Sequence, residues 1–145
     1  MKIVRDILRE KGSTVWTIGP EASVYEALSL MADKNLGAVL VMDSSNLVGI
    51  LSERDYARKV VLKGRMSKDT PVRDIMTAHV VCVTSFRTIE ECMALMTDKR
   101  IRHLPVVEGD RLVGIISIGD VVRAMIADKD FIIEQLTDYI TGKVR

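Results

Sequence analysis

Several residue types that mark particular protein classes are scarce in this 145-residue chain. It has only two cysteines, Cys82 and Cys92, which form neither a CxxC pair nor a zinc-binding spacing. We therefore expect a reduced, intracellular chain without a metal site. Aromatic residues make up only 4% of the sequence, so the core must consist mainly of Val, Ile, Leu, Met and Ala.

A one-sided charge and long apolar runs are also absent. Lys and Arg total 21 against 20 Asp and Glu, so the surface as a whole has no bias toward nucleic acid or an anionic membrane. No apolar run reaches the ~18 residues of a membrane span, and the start of the chain meets charges at Arg5 and Asp6 after only two apolar residues, so it lacks the apolar stretch of a signal peptide. We expect a cytoplasmic protein that binds neither nucleic acid nor membrane.

What the chain does contain is an internal repeat. The sequence LVGI at residues 47–50 recurs at 112–115, which is 65 positions later. The same offset pairs Ser52 with Ser117 and Asp55 with Asp120. Near the front of each copy, VRDIL at 4–8 matches VRDIM at 72–76 at an offset of 68, so the first copy carries a three-residue insertion between these motifs.

Each copy has the pattern strand, helix, strand, strand, helix. Short β-branched segments predict the first strands, apolar residues at i, i+4 and i+7 predict the first helices, and paired apolar runs around polar turns predict hairpins. The predicted first strands cover 15–18 and 80–83, the hairpins 38–51 and 104–116, and the last helices 53–63 and 118–127.

The predicted fold class is α/β, with two pseudo-symmetric β-α-β-β-α repeats packed through their sheets, plus a C-terminal helix. A single copy is too small to cover its own sheet, which is why we expect the two to pack on each other around a central cleft. The expected boundaries are 1–63 and 71–127 for the repeats, 64–70 for a linker and 128–145 for an amphipathic helix and tail. The apolar stripe of that helix either packs on its own module or a dimer mate, or recognises another protein.

The motifs GILSERD at 49–55 and GIISIGD at 114–120, together with VRDIMT at 72–77 and RHLPVV at 102–107, resemble tandem CBS domains. Such a pair is called a Bateman module, and this chain looks like the stand-alone kind. The resemblance implies a non-catalytic regulatory module that binds an adenosine-containing ligand (AMP, ADP, ATP or NAD) in clefts between the repeats and forms a homodimer. The alternative is a ligand-free module for oligomerisation or partner docking.

The pattern Ser-x-x-Asp occurs at the start of the last helix in both copies. By itself it is typical of a capping box, which stabilises a first helical turn without any ligand. A carboxylate in this place can also accept both hydrogen bonds of a ribose diol, and the resemblance assigns Asp55 and Asp120 to the ribose, with Ser52 and Ser117 nearby. Capping and binding can coexist.

Basic residues that suit a phosphate come mainly from the second copy. The candidates are Arg100, Arg102 and His103, with Arg54 and the open backbone of Gly119 added at the helix starts. Their alternative role is a solvated or salt-bridged surface.

The adenine is expected to lie among apolar walls and main-chain groups of the first strands. On this interpretation Thr14 and Trp16 serve the Asp120 cleft, while Thr77 and Val81 serve the Asp55 cleft, although Trp16 is alternatively an ordinary core residue. Four further residues complete the predicted adenine pocket: Ile50 and Ile115 as walls, and Gly37 and Ala38 as space for the ligand.

The sequence gives little support to an enzymatic function. The chain has neither a GxxxxGK[ST] phosphate loop nor a GxGxxG motif, and it has only two histidines. A Cys-His nucleophile pair is the remaining alternative, against which we expect both cysteines to be buried structural thiols. The sequence therefore predicts no enzyme and no catalytic cofactor.

Overall fold

A computed structural model describes residues 1–142, so the end of the predicted tail, 143–145, lies outside the described residues. The chain divides into two compact units. The first-repeat unit contains Thr14–Cys82 and Gly109–Leu112, and the second-repeat unit contains Met1–Ser13, Val83–Glu108 and the residues from Val113 onward. Each unit therefore takes its opening segment from the other sequence copy.

The first-repeat unit is built on a three-stranded sheet with the order β1-β2-β3. Strand β1 pairs in parallel with β2, and β2 pairs antiparallel with β3. Its elements are β1 (Thr17–Ile18), α2 (Val24–Lys34), β2 (Ala38–Asp43), β3 (Asn46–Ser52), α3 (Glu53–Tyr56), a π-helical turn (Ala57–Val61) and a 3-10 turn (Val72–Asp74).

Helix α2 packs on this sheet, and the local sequence determines both its ends and its apolar face. The Ser23 hydroxyl accepts a hydrogen bond from the Glu26 N–H at 3.1 Å and caps the first turn. The helix stops at Asn35, whose φ of 56° is left-handed. Between these ends Val24 and Met31 are buried in one core cluster with residues of the strands and with Ile75.

The second-repeat unit contains a two-stranded sheet, β4-β5, and three helices. Its elements are α1 (Val4–Lys11), α4 (Ile89–Lys99), β4 (His103–Glu108), β5 (Arg111–Ser117, of which this unit contains the residues from Val113) and α5 (Ile118–Thr141). The start of α1 is hydrogen-bonded to the segment that precedes α4. The N–H of Val4 donates to the carbonyl of Arg87 at 2.8 Å, and the N–H of Arg5 donates to the carbonyl of Ser85 at 2.9 Å. The described residues thus form a mixed α/β fold with two small sheets and five α-helices.

The exchanged opening segments cover equivalent glycines. A Cβ added at Gly114 would lie 2.7 Å from a terminal carbon of Leu8, and one added at Gly49 would lie 2.5 Å from the sulfur of Met76. The repeat relates both partners, since Gly49 and Gly114 are 65 apart and Leu8 and Met76 are 68 apart. Both strands therefore need a glycine where the opening segment crosses them.

We expect Gly49→Ala to destabilise the protein more than Gly114→Ala. At Gly49 the new Cβ would also lie 3.1 Å from the Thr77 carbonyl oxygen, which is backbone, whereas at Gly114 only the flexible end of Leu8 must move. Urea denaturation should give a loss of about 1–3 kcal/mol for Gly49→Ala and less for Gly114→Ala. Adding Met76→Ala should recover part of the Gly49→Ala loss, and strict additivity of the two changes would contradict the predicted clash.

Both predicted first strands are shorter than expected, and the one predicted at 15–18 forms only over Thr17–Ile18. Residues 80–83 were predicted as a strand, but only a single bridge, from Val83 to Val106, forms there. Val83 donates to the carbonyl of Pro105 and accepts from the N–H of Val107, and Pro105 has no N–H with which to continue the parallel ladder. The matching position in the first copy is Leu40, whose strand pairs with β1 at two positions.

The last helices also differ from the prediction. The helix predicted at 53–63 is α-helical only over Glu53–Tyr56 and then π-helical, with the N–H of Leu62 donating five residues back to the carbonyl of Ala57. In the second copy the helices predicted on either side of residue 128 form one continuous helix, α5. No glycine or proline stands between Gly119 and Gly142 to interrupt it. None of the helices in residues 1–142 combines the length and apolar character needed to span a bilayer.

Candidate functional site

Asp120 lies where β5 leads into α5. Ser117 is the N-cap of that helix: its hydroxyl accepts from the Asp120 N–H at 3.2 Å, while its own N–H donates to Asp120 Oδ2 at 2.8 Å. This is a complete capping box, as the sequence pattern predicts. It holds the carboxylate in a nearly buried position, with 8% of the side chain exposed.

Two cations contact the same carboxylate. Lys11 Nζ lies 2.8 Å from Asp120 Oδ2, and the guanidinium of Arg123 lies 2.8 Å from Oδ1. Burial alone would raise the pKa of Asp120, but the hydrogen bonds from Lys11 and Ser117 outweigh it and hold this pKa below its ordinary value. Asp120 is therefore an ionised acceptor at neutral pH. Lys11 also donates to the carbonyl of Ile115 at 3.0 Å, which joins α1 to one predicted wall of the adenine pocket.

A cleft of about 220 Å³ lies beside this carboxylate, within the second-repeat unit. Besides Asp120, its charged lining residues are Lys2, Glu10, Lys11 and Arg123. The apolar part of the lining consists of Ile7, Ala124 and Ala127. The cleft thus combines three cations with two carboxylates.

Asp55 occupies the equivalent place in the first-repeat unit. The N–H and the hydroxyl of Ser52 both donate to its Oδ2 at 3.0 Å. Its Oδ1 lies 3.3 Å from the hydroxyl of Thr77 and 3.1 Å from Lys59 Nζ. The backbone of Thr77 is itself fixed, because its N–H donates to the carbonyl of Ile50 and its carbonyl accepts from the Ile50 N–H. Asp55 and Thr77, predicted to share one cleft, therefore lie together, and Ile50, predicted as a wall of the adenine pocket, lies beside them.

The five predicted phosphate residues are dispersed over helix ends and the start of β4. Arg102 is exposed and its carbonyl accepts from the Ile118 N–H at 2.8 Å, while His103 is half-buried at the first position of β4. Arg100 is the left-handed C-cap of α4, with φ 55°. Arg54 is exposed on α3, and a Cβ at Gly119 would lie 3.3 Å from the guanidinium of Arg123.

The predicted adenine residues differ in exposure. Trp16 is 42% exposed, with Lys34 Nζ 4.3 Å from its ring centroid, so the alternative that Trp16 is an ordinary core residue is wrong. Thr14 is exposed and belongs, like Trp16, to the first-repeat unit, whereas Asp120 belongs to the second. Of the remaining residues, Gly37 is exposed, Ala38 is buried, and Val81 and Ile115 are half-buried.

The CBS domain family model matches the chain twice, over residues 4–62 and 72–127. The chain belongs to the CBS domain family. The matching model describes a CBS domain and names no catalytic activity. The chain is 39% identical to the mitochondrial CBS domain-containing protein CBSX3 of Arabidopsis thaliana, over 96% of this chain and 72% of that protein.

Solved structures with this fold include other CBS proteins. A CBS-domain protein from Burkholderia ambifaria MC40-6 is 52% identical, with a TM-score of 0.85 over 88% of this chain and 96% of its own. The CBS domain pair of protein MJ0100, solved in complex with 5′-methylthioadenosine and S-adenosyl-L-methionine, is 25% identical, with a TM-score of 0.78 over 88% of this chain and 98% of its own. A CBS pair with this fold thus binds adenosine compounds.

Neither cysteine has the character of a nucleophile. Burial raises the pKa of Cys82, and burial together with the nearby carboxylate of Glu91 raises the pKa of Cys92 to about 11. Both thiols are therefore protonated at neutral pH, which disfavours the Cys-His alternative. Cys92 is fully buried on α4, as expected of a structural thiol, while Cys82 is half-buried. Within residues 1–142, no group of three or more His, Cys, Asp and Glu side chains is arranged to hold a metal.

Four charged residues of the cleft beside Asp120 were not predicted from the sequence: Lys2, Glu10, Lys11 and Arg123, of which Lys11 and Arg123 contact Asp120 directly. The internal repeat could have found Lys11, because Thr77 directly follows the VRDIM motif and was assigned to Asp55. By the same symmetry, the residues that follow VRDIL at 4–8 belong near Asp120. The sequence prediction instead assigned Thr14 and Trp16 to Asp120. These residues lie close to the three-residue insertion, which shifts the alignment of the two repeats.

Proposed function

We propose that this CBS-pair protein binds an adenosine-containing ligand, AMP, ADP, ATP or NAD, at Asp55 and Asp120 and acts as a non-catalytic nucleotide sensor. One observation carries the proposal. In both units a mostly buried carboxylate, anchored by a serine cap, stands at the start of a helix. A ribose diol donates two hydrogen bonds, and an ionised carboxylate is the acceptor that makes them strongest.

The proposed contacts follow the order of the ligand. Asp55 and Asp120, with Ser52 and Ser117, bind the ribose hydroxyls. The phosphate is bound by Arg102, His103 and Arg100, with Arg54 and Gly119 at the helix starts. The adenine contacts Thr14, Trp16, Gly37, Ala38, Ile50, Thr77, Val81 and Ile115. The short distance between Thr77 and Asp55 supports this assignment for one site, and the MJ0100 complex supports an adenosine ligand in general.

A sensor needs more than affinity. The ligand must favour one arrangement of the module over another, because a ligand that binds two arrangements equally shifts no population. We propose that an adenine nucleotide provides this difference by exchanging with the cations that occupy Asp55 and Asp120 in the structure. We also propose that residues 1–63 and 71–127 are the two repeats, 64–70 the linker and 128–145 the C-terminal helix and tail. The proposed location is cytoplasmic, whereas the relative CBSX3 is mitochondrial.

A thermal-shift titration with AMP, ADP, ATP and NAD tests the proposed function. Ligand at ~100 times its Kd stabilises the native state by about 2.7 kcal/mol, which corresponds to roughly 5–10 °C in Tm for a chain of this size. We expect such a rise for at least one of the four, with the nucleotide recovered unchanged by chromatography. No shift at millimolar concentration would favour the docking module, and turnover would show an enzyme.

The exposed face of α5 favours the second candidate, an oligomerisation module. Five large apolar residues spaced three, four or seven apart lie at least 40% exposed along it: Val122, Ile126, Ile133, Leu136 and Ile140. Their spacing places them on one side of the helix, which is a stripe that a second helix can cover. We propose that the second copy in a homodimer covers it, and ligand binding and dimerisation are compatible.

Sedimentation equilibrium measures the homodimer directly. We expect a mass of about twice the chain's 16.2 kDa, reduced to that of one chain in Ile133→Glu/Leu136→Glu, because a charge in an apolar helix interface is unpaired. Glu134→Gln, one residue away from the stripe, should leave the mass unchanged. A wild-type mass of 16.2 kDa would exclude the homodimer.

A further inference from the structure

The carboxylate of Asp120 has too few free acceptor sites for a ribose diol, which needs two, because its donors leave one site on Oδ1 and none on Oδ2. Its Oδ2 accepts from the Ser117 N–H and from Lys11, and its Oδ1 accepts from Arg123, all at 2.8 Å. Because 8% of this side chain is exposed, there is little room for an additional partner. A diol that donates to both oxygens must therefore displace Lys11 from Oδ2, and it must share the crowded Oδ1 with Arg123 or displace that cation too.

The free-energy cost of leaving the carboxylate differs between the two cations. The side chain of Arg123 is 74% exposed, so its guanidinium can return to water. The side chain of Lys11 is 35% exposed, and its ammonium is held by Asp120 and by the carbonyl of Ile115. An ammonium that leaves a partly buried carboxylate loses its counter-charge, and a side chain that is only 35% exposed regains only part of the hydration of a free lysine. It needs a new anion nearby.

We propose that Lys11 makes the Asp120 site selective for phosphorylated adenosine ligands. When the ribose takes Asp120, the ammonium of Lys11 transfers from the carboxylate to the ligand's phosphate. A phosphate thus restores the ion pair that the diol breaks, whereas an unphosphorylated nucleoside breaks it without replacement. The proposal deepens the proposed function and depends on it, since it presupposes ribose binding at Asp120.

The surroundings of Lys11 suit this exchange. Its flexible four-carbon side chain carries an ammonium group that can move from one partner to another. The adjoining cleft of about 220 Å³ gives the chain room to move, and Lys2 and Arg123 add positive charge to the same lining. Lys11 ends α1, the opening segment of the chain, so the exchange also couples ligand binding to that helix.

Asp55 takes its ammonium from its own helical segment rather than from a distant one. Lys59, four residues along the chain, also donates to the carbonyl of Ile75 at 3.0 Å, and its side chain is 44% exposed, more than the 35% of Lys11. Displaced Lys59 returns to water more readily than displaced Lys11 and depends less on a phosphate. We therefore expect the preference for a phosphorylated ligand to be weaker at Asp55 than at Asp120.

Calorimetric titration of a single-site background tests the proposal. In the full-length Asp55→Ala protein, AMP and adenosine report on the Asp120 site alone, and we expect AMP to bind the more tightly. Adding Lys11→Met should strengthen adenosine binding and weaken AMP binding, so that the ratio of the two affinities falls at least about tenfold. Lys11→Arg should preserve the preference, and the matched control Arg9→Met, which removes a charge from the same helix but not from the cleft lining, should leave the ratio unchanged.

The outcomes separate the two claims. If both compounds bind the background and Lys11→Met leaves their ratio unchanged, the role of Lys11 is wrong while ribose binding at Asp120 stands. If neither compound binds the background at millimolar concentration, the proposed Asp120 site fails and the role of Lys11 fails with it. A fall in the ratio caused equally by Arg9→Met would show a general charge effect and would also overturn the proposal.

Discussion

The double variant Asp55→Ala/Asp120→Ala should bind no AMP at concentrations where the wild-type chain is saturated. Each aspartate is expected to accept two hydrogen bonds from a ribose, and hydrogen bonds to a charged group contribute about 1.5–3 kcal/mol each. Removing one carboxylate should therefore weaken its own site by at least about a hundredfold. In calorimetric titrations the number of AMP molecules per chain should fall from two to one in either single variant.

Two controls keep a loss of folding separate from a loss of binding. Each alanine also removes half of a capping box, so the melting temperature of every variant must lie well above the titration temperature. Asp33→Ala removes a carboxylate of α2 that is 73% exposed, and it should leave stoichiometry and affinity unchanged. If the double variant binds AMP as the wild type does, the ribose assignment is wrong.

Ile7→Ala and Ile75→Ala should each cost about 2–5 kcal/mol of unfolding free energy, but in opposite units. The two isoleucines occupy the same position of the repeated VRDI motif, and they are 6% and 1% exposed. Because the opening segments are exchanged, Ile7 should stabilise the second-repeat unit and Ile75 the first-repeat unit. Each residue thus supports the unit formed mainly by the other sequence copy.

Hydrogen exchange locates these losses. Ile7→Ala should speed amide exchange in α4, because the segment that precedes α4 is hydrogen-bonded to α1. Ile75→Ala should speed amide exchange in α2, whose Val24 N–H donates to the carbonyl of Thr70. Leu62→Ala is a control at a 76% exposed position and should change little in either unit. Faster exchange in α2 rather than α4 after Ile7→Ala would contradict the exchange of segments.

The repeated motifs allowed much of the fold to be predicted. Helices α2 and α4 and the two hairpins follow from apolar spacing and turn residues, and these are local properties of the sequence. The strand at 80–83 was overpredicted because β-branched composition says nothing about the partner strand, where Pro105 interrupts the ladder. The π turn after Tyr56 likewise has no composition that distinguishes it from an α-helix.

The exchange of opening segments could not be seen from the repeat itself. A repeated motif shows that two segments are equivalent, but not on which copy each segment folds. Serine caps on Asp55 and Asp120 were predictable from their three-residue spacing, whereas Lys11 reaches Asp120 across 109 positions of sequence. The repeat indicates that the residues after VRDIL belong near Asp120, but the ion pair itself depends on the tertiary fold, so the structure is needed to identify Lys11 among them.

A crystal structure of the protein grown with AMP measures the central claim most directly. We expect the ribose hydroxyls within about 2.5–3.0 Å of the carboxylate oxygens of Asp55 or Asp120, the usual range for O–H···O bonds. At Asp120 the ammonium of Lys11 should have left the carboxylate for the phosphate. A bound AMP whose ribose contacts neither aspartate, with both carboxylates still paired to their lysines, would contradict the account.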